Sequence, residues 1–138
     1  MGKGEMMPSD SEWLIMETFW ESDIPLTSSE VLERLKHKSD MTLRMVRVLI
    51  NRLCQKGLLD FTVDEHDARI YHYSALKPKE ECQREKSERF VNSYFAGSQT
   101  SAVAALLQGI YLTDEQITEL EKILDRSRQK TQEKSEKK

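Results

Sequence analysis

Apolar residues recur at helical spacing in three successive blocks, give way to a short alternating segment, and return to helical spacing towards the end of the chain. In the first block Trp13, Met16, Phe19 and Trp20 form one core stripe. Ser9 followed by Glu12 has the form of a capping box, so a helix is expected from Ser9, ended by Ile24-Pro25-Leu26. Thr27 with Glu30 repeats the signal and opens a second helix of about ten residues, with Val31, Leu32 and Leu35 facing inward. The third block has Thr42 as N-cap, Gly57 as terminator and Val46, Leu49, Ile50 and Leu53 as its buried face. Leu58 to Val63 and Ile70 to Ser74 then read as two strands around Asp64-Glu65-His66-Asp67-Ala68, a hairpin with a polar tip. Three helices followed by a hairpin predict a winged helix-turn-helix over residues 8–76, the hairpin being the wing.

Beyond it the pattern is helical again. Pro78 suits the first turn of a helix running through Cys82, Phe90, Val91, Tyr94 and Phe95 to Gly97, with Glu80 and Glu81 at its positive end. Ser98 starts another, with the almost purely apolar stretch Ala102 to Leu107 ahead of Gly109. Thr113 with Gln116 caps a last helix carrying Leu112, Ile117, Leu120, Ile123 and Leu124. Helices this short and this apolar leave a large patch that soluble proteins ordinarily place in an interface. Residues 77–126 are therefore expected to be a helical dimerisation domain, with Phe90, Tyr94, Phe95, Val103, Leu106 and Leu107 joining the last helix's apolar residues in the contact. A monomeric core, with these helices folded back on the winged part, is the alternative. Residues 127–138, rich in Lys, Arg, Gln and Glu, are expected to form a disordered charged tail. The fold class is thus mainly α with a small β-hairpin wing.

The net charge of −3 argues against a nucleic-acid partner until its distribution is considered. From Arg34 to Lys56 seven basic residues face one acid, Asp40, for a local charge of +6. Asp10, Glu12, Glu17 and Glu21 fall on the first helix, behind the expected reading head. Arg44, Arg47, Asn51 and Arg52 project from the third helix, where arginine can take guanine or phosphate and asparagine can read adenine. A solvated amphipathic helix would look similar in isolation, and the flanking helices and hairpin favour the reading of DNA.

Other classes find less support. The chain has no apolar run near the roughly 20 residues a bilayer requires and no signal-peptide segment, so a cytoplasmic protein without membrane insertion is expected. Cys54 and Cys82 read as reduced thiols, and His37, His66 and His72 are too scattered to suggest a metal site. No cofactor is implied. Gly-rich phosphate loops, His-x-x-x-His spacing and nucleophile constellations are lacking, which argues against an enzyme. The competing class is a winged-helix module that binds protein instead of DNA, which the acidic wing would permit.

Ser9-Asp10-Ser11-Glu12-Trp13, Phe19-Trp20, Arg52-Leu53, Lys56-Gly57, Phe90-Val91-Asn92-Ser93-Tyr94 and Leu112 to Leu120 stand in an order that resembles the penicillinase-repressor family of BlaI, MecI and CopY. The resemblance spans nearly the whole chain. It implies a dimeric winged-helix repressor whose C-terminal helices intertwine with those of a second copy and whose double-stranded operators are dyads built around TACA and TGTA. A two-fold protein matches such a palindrome. In the family the reading helix opens as Ser/Thr-Pro-Lys-Thr-Ile/Val-x-Thr; the corresponding stretch here is Thr42-Leu43-Arg44-Met45-Val46-Arg47-Val48. Arg44 and Arg52 keep cationic donors, while Met45 and Val48 replace two threonines and leave methyl and thioether groups to pack on thymine methyls. A related but shifted operator is expected. In the wing Arg69 is the expected phosphate contact, opposed by Asp64, Glu65 and Asp67.

The resemblance also frames regulation. The copper-responsive branch carries a C-terminal Cys-x-Cys pair, and Arg126 to Lys138 contains no cysteine. The beta-lactam branch is released by a membrane sensor protease that cuts an Asn-Phe bond in the penultimate helix. Ala105-Leu106 stands at that place, so a sensor protease is a candidate partner without the residues that would carry the mechanism over.

Overall fold

In the computed structural model of the chain, residues 6–136 are described. Three helices come first: α1 (Asp10–Trp20), α2 (Ser28–Leu35) and α3 (Leu43–Gln55). The hairpin of β1 (Leu59–Val63) and β2 (Tyr71–Ala75) follows, then α4 (Lys79–Tyr94), α5 (Gln99–Gln108) and α6 (Asp114–Glu136). The fold is a mainly α winged helix-turn-helix with one antiparallel hairpin, followed by further helix.

Local chemistry sets the helix ends. Ser9 and Thr27 each accept the backbone N–H of the glutamate three residues on, and Glu12 and Glu30 each accept the cap's own N–H, so both capping boxes are complete. Thr42 caps α3 by accepting the Met45 N–H at 3.2 Å. At the other end Gly57 turns left-handed at φ 77°; its N–H reaches the Cys54 carbonyl at 3.0 Å and that of Leu58 reaches Leu53 at 2.9 Å. This is a Schellman closure, and it points the chain from α3 straight into β1.

Ile15, Met16, Phe19, Val31, Leu35, Val46, Leu49, Ile50 and Leu53 fill the space between α1, α2 and α3, and Leu26, Leu58 and Leu59 close it beneath the hairpin. Trp13 and Trp20, expected in the core, lie half-buried at its edge, packed edge to face with centroids 5.1 Å apart. Ile15 is fully buried instead. The register pairs Leu59 with Ala75, Phe61 with Tyr73 and Val63 with Tyr71. Leu26 adds a single bridge to Tyr73, exchanging both backbone bonds at 2.8 and 2.9 Å.

The chain divides into a unit ending at Ser93 and one beginning at Tyr94. The sequence pattern places the change at residue 77, where helical periodicity resumes. Long-range contacts tie the start of α4 to α1: the Trp20 indole N–H donates to the Lys77 carbonyl at 2.9 Å, Lys79 pairs with Glu17 at 3.5 Å, and Cys82 is buried in the common core.

In the second unit Ala96 and Gly97 both turn left-handed, at φ 50° and 82°, and Ser98 then caps α5. Ala102 is the buried residue of α5, and none is buried among the described residues of α6. Thr113 and Gln116 make the capping box of α6, so Leu112 sits just outside the helix expected to carry it. The segment expected to be a disordered tail from residue 127 continues α6 as far as Glu136; its last two residues lie outside the described residues. Glu, Gln, Lys and Arg propagate a helix well, and neither Gly nor Pro interrupts them.

Candidate nucleic-acid interface

Val46, Leu49, Ile50 and Leu53 seat α3 in the core, which turns its opposite face outward. Arg44, Met45, Arg47, Val48, Asn51 and Arg52 are all exposed on that face, Met45 by 51% and Val48 by 44%. The expected readers therefore share one surface. The Thr42 hydroxyl, also exposed, already serves as the cap. Arg47 Nε donates to Ser28 Oγ at 3.5 Å, a long bond that leans the guanidinium towards the start of α2.

The basic segment is less uniform than its charge count. Lys56 points inward: its Nζ lies 2.6 Å from Glu12 Oε1 and 3.1 Å from the Met7 carbonyl, so it serves the fold and not the surface. Glu12 is 2% exposed. Burial works to raise its pKa, but the Lys56 ammonium and the Ser9 N–H outweigh it and hold the carboxyl below its usual range. Lys36 pairs with Glu33 at 2.8 Å and Lys38 with Glu21 at 3.8 Å. Arg44, Arg47 and Arg52 make no ion pair among the described residues, which concentrates available positive charge on the reading face.

The wing is knitted together by its own charges. Asp64 Oδ2 accepts the N–H groups of His66 and Asp67 at 3.0 and 3.1 Å, and its Oδ1 lies 2.8 Å from His72 Nε2. Asp67 Oδ1 accepts the Arg69 N–H at 2.9 Å and its Nε at 3.1 Å, while Oδ2 accepts Nη2 at 3.2 Å. His72 and Arg69 hold Asp64 and Asp67, respectively, below the usual carboxylate range. Arg69, the expected wing contact, is thus engaged by one of the acids expected to oppose it.

An open groove of about 770 Å³ separates the start of α2 from the wing. Arg47 and Arg69 stand on it with Ser28, Ser29, Tyr71 and Tyr73. Tyr71 stacks on Phe61, centroids 4.8 Å apart and planes 15° from parallel. The sequence pattern does not single out the serines, whereas the alternation that sets Phe61, Val63, Tyr71 and Tyr73 on one hairpin face is a signal for the two tyrosines.

Of the residues expected at a dimer contact, Phe90 and Tyr94 are exposed on α4 and Phe95 is half-buried. Val103, Leu106 and Leu107 are exposed on α5, and Ile117, Leu120, Ile123 and Leu124 on α6; Leu112 is half-buried. Ile110 and Tyr111, not anticipated, extend this surface between the two helices. Ala105 and Leu106 lie exposed within α5. Among the described residues no cluster of His, Cys, Asp or Glu is arranged to hold a metal, and no helix is long and apolar enough to cross a membrane.

The sequence model of one family, penicillinase repressor, matches residues 8–126. The chain belongs to the penicillinase-repressor family. Relatives of this penicillinase-repressor chain include the methicillin resistance regulatory protein MecI of Staphylococcus aureus strain N315, 26% identical over 86% of this chain and 93% of that protein. The penicillinase repressor of Bacillus licheniformis is 26% identical over 91% and 94%. Solved structures resemble it more distantly: Streptococcus pneumoniae FabT in complex with DNA aligns at a TM-score of 0.45 with 22% identity, covering 91% of this chain and 76% of that one. The penicillinase-repressor family comprises DNA-binding transcriptional repressors and not enzymes.

Proposed function

We propose that the chain is a cytoplasmic repressor, homodimeric through its C-terminal helices, that occludes promoters by binding a double-stranded dyad related to TACA and TGTA. The carrying observation is the outward face of α3, where three unpaired arginines flank Asn51 and the apolar pair Met45 and Val48. Arginine at Arg44 and Arg52 supplies phosphate and guanine contacts, and Asn51 suits adenine. Met45 and Val48 offer contact to thymine methyls, which keeps a preference for T and A while altering the neighbouring positions relative to a threonine-bearing helix.

Dimerisation follows from α5 and α6. Val103, Leu106 and Leu107 recur at helical spacing as one exposed stripe on α5, which Ile110 extends beyond the helix end, and Ile117, Leu120 and Leu124 form a second on α6. A second copy covers both and sets two reading helices against two half-sites. The release signal stays unassigned. A sensor protease acting at Ala105-Leu106 would have to unwind α5 and would cut through the first stripe, uncoupling the half-sites.

A salt-titrated mobility shift on a TACA/TGTA duplex, with a scrambled duplex and an Arg44→Ala, Arg52→Ala variant, tests the reading. Selective binding, lost in the variant and falling steeply with salt, is the expected result. Indifference to every duplex would replace the repressor with the protein-binding module that the acidic wing permits.

A further inference from the structure

The wing raises a question that the reading helix does not answer. A hairpin beside a DNA-reading helix ordinarily adds cationic contacts, yet Arg69 stands with Asp67 folded around it. The pair is more than a chance surface contact. Asp67 receives three hydrogen bonds from Arg69, two from the guanidinium and one from the backbone, across a span of two residues. Asp67 is itself fixed: its N–H donates to Asp64 Oδ2 at 3.1 Å and its carbonyl accepts the Ile70 N–H at 3.0 Å. The carboxylate therefore belongs to the turn, and the arginine, 90% exposed along its side chain, is the part free to leave.

The position of the pair gives it a consequence. Arg69 stands on the groove that Arg47 lines from α3, with Tyr71 and Tyr73 nearby. A guanidinium accepts a carboxylate and a phosphate in the same bidentate manner. We propose that Asp67 is an affinity-setting residue of the DNA interface, an internal stand-in for phosphate that withholds Arg69 from the nucleic-acid backbone. While the pair persists, the tip brings no net cation to DNA. Substituting the carboxylate by its amide keeps an acceptor for the Arg69 N–H and frees the guanidinium to reach a phosphate. This inference rests on the DNA-binding reading.

The test is the salt dependence of binding by the full chain, measured on a TACA/TGTA duplex and a scrambled duplex for wild type, Asp67→Asn, Arg69→Ala and the double variant. Glu65→Gln is the control, because Glu65 is an exposed acid of the same tip that makes no ion pair among the described residues, so its loss changes the charge without releasing an arginine. Circular dichroism and thermal melting establish that each variant is folded. One additional phosphate contact steepens the log-log salt slope by about 0.9. Asp67→Asn is expected to do this and to tighten binding to both duplexes about fivefold at low salt, with both gains abolished by adding Arg69→Ala. Arg69→Ala alone is expected to leave the salt slope as it was and to weaken binding by less than about twofold, through the Asp67 charge left without its partner. An Asp67→Asn variant that matches Glu65→Gln in slope and affinity overturns the inference, as does a large loss from Arg69→Ala in the wild-type background, which would mean that Arg69 already contacts DNA and Asp67 aims it. If the wild type ignores both duplexes, the DNA-binding reading fails first, a separate outcome.

Discussion

A partly buried ion pair ties the first turn of α1 to the end of the reading helix. Lys56 follows α3 directly, and its ammonium bridges Glu12 and the Met7 carbonyl, a link across 44 residues of sequence. Glu12 also accepts the Ser9 N–H, so one carboxylate serves a capping box and a tertiary contact. Lys56→Met removes the partner and leaves that carboxylate buried with a single backbone donor. A cost of about 2 kcal/mol is expected, the penalty of an uncompensated buried charge reduced because Lys56 is a quarter exposed. Urea denaturation at neutral pH measures it. The pH dependence has a definite sign. The Glu12 pKa is depressed in the folded state, so its contribution is complete above the unfolded carboxylate pKa and is lost as pH falls through the lower folded value. The difference between wild type and Lys56→Met should therefore narrow on acidification, as the carboxyl protonates. A gap that is constant with pH would assign the loss to packing of the lysine stem.

At the scale of elements, α3 separates two kinds of energy that its sequence interleaves. On the proposed function its arginines would meet phosphate and bases through charge, whereas Met45 and Val48 would meet base edges through shape. Replacing Met45 and Val48 together by threonine is expected to change which bases are preferred by roughly tenfold in relative affinity, while the salt slope stays as it was. Selection from a randomised duplex, followed by salt titration on the winning sequences, reads both quantities. A changed slope would mean that these two residues position the backbone instead of the bases. The starts of α1, α2 and α3 and the close of α3 were legible in the sequence because a capping box or a closing glycine is a short-range device, complete within a few residues, whereas α1 stops at Trp20, ahead of the Ile24-Pro25-Leu26 expected to end it. The hairpin was legible for a similar reason, since strict alternation fixes which side chains share a face. The Lys56 contact was not: a lysine in a basic run looks like surface charge until a partner on another helix turns it inward. The Asp67–Arg69 clamp escaped for the opposite reason. Its two residues are neighbours in sequence, but only the turn made by Asp64 decides that they meet. The continuation of α6 to Glu136 was obscured because a run of charged helix formers has the composition of a tail.

For the whole molecule as proposed, a dimer, the decisive quantity is how tightly two reading heads are held together. The net charge of −3 makes general attraction to DNA weak, so on the proposed function affinity would come from the arginines of α3 and from simultaneous occupation of both half-sites. Val103, Leu106, Leu107, Ile110, Ile117, Leu120 and Leu124 are exposed in the single chain, a concentration of apolar surface that an isolated soluble molecule rarely carries. Leu120→Asp places a charge in the middle of the α6 stripe, where burial against a second copy would leave it without a partner. Because Leu120 is exposed in the single chain and is not one of the residues that form the winged core, its substitution should spare the stability of that core. Sedimentation equilibrium should then report a dimer for the wild type and a monomer for the variant. Affinity for a full dyad should fall by roughly a hundredfold or more, while affinity for a single half-site is unchanged, since linking two heads multiplies binding only when both sites are present. A variant that stays dimeric would move the interface away from α6. A monomer that still binds the dyad as tightly as the wild type would mean that one reading head, without its twin, accounts for the affinity.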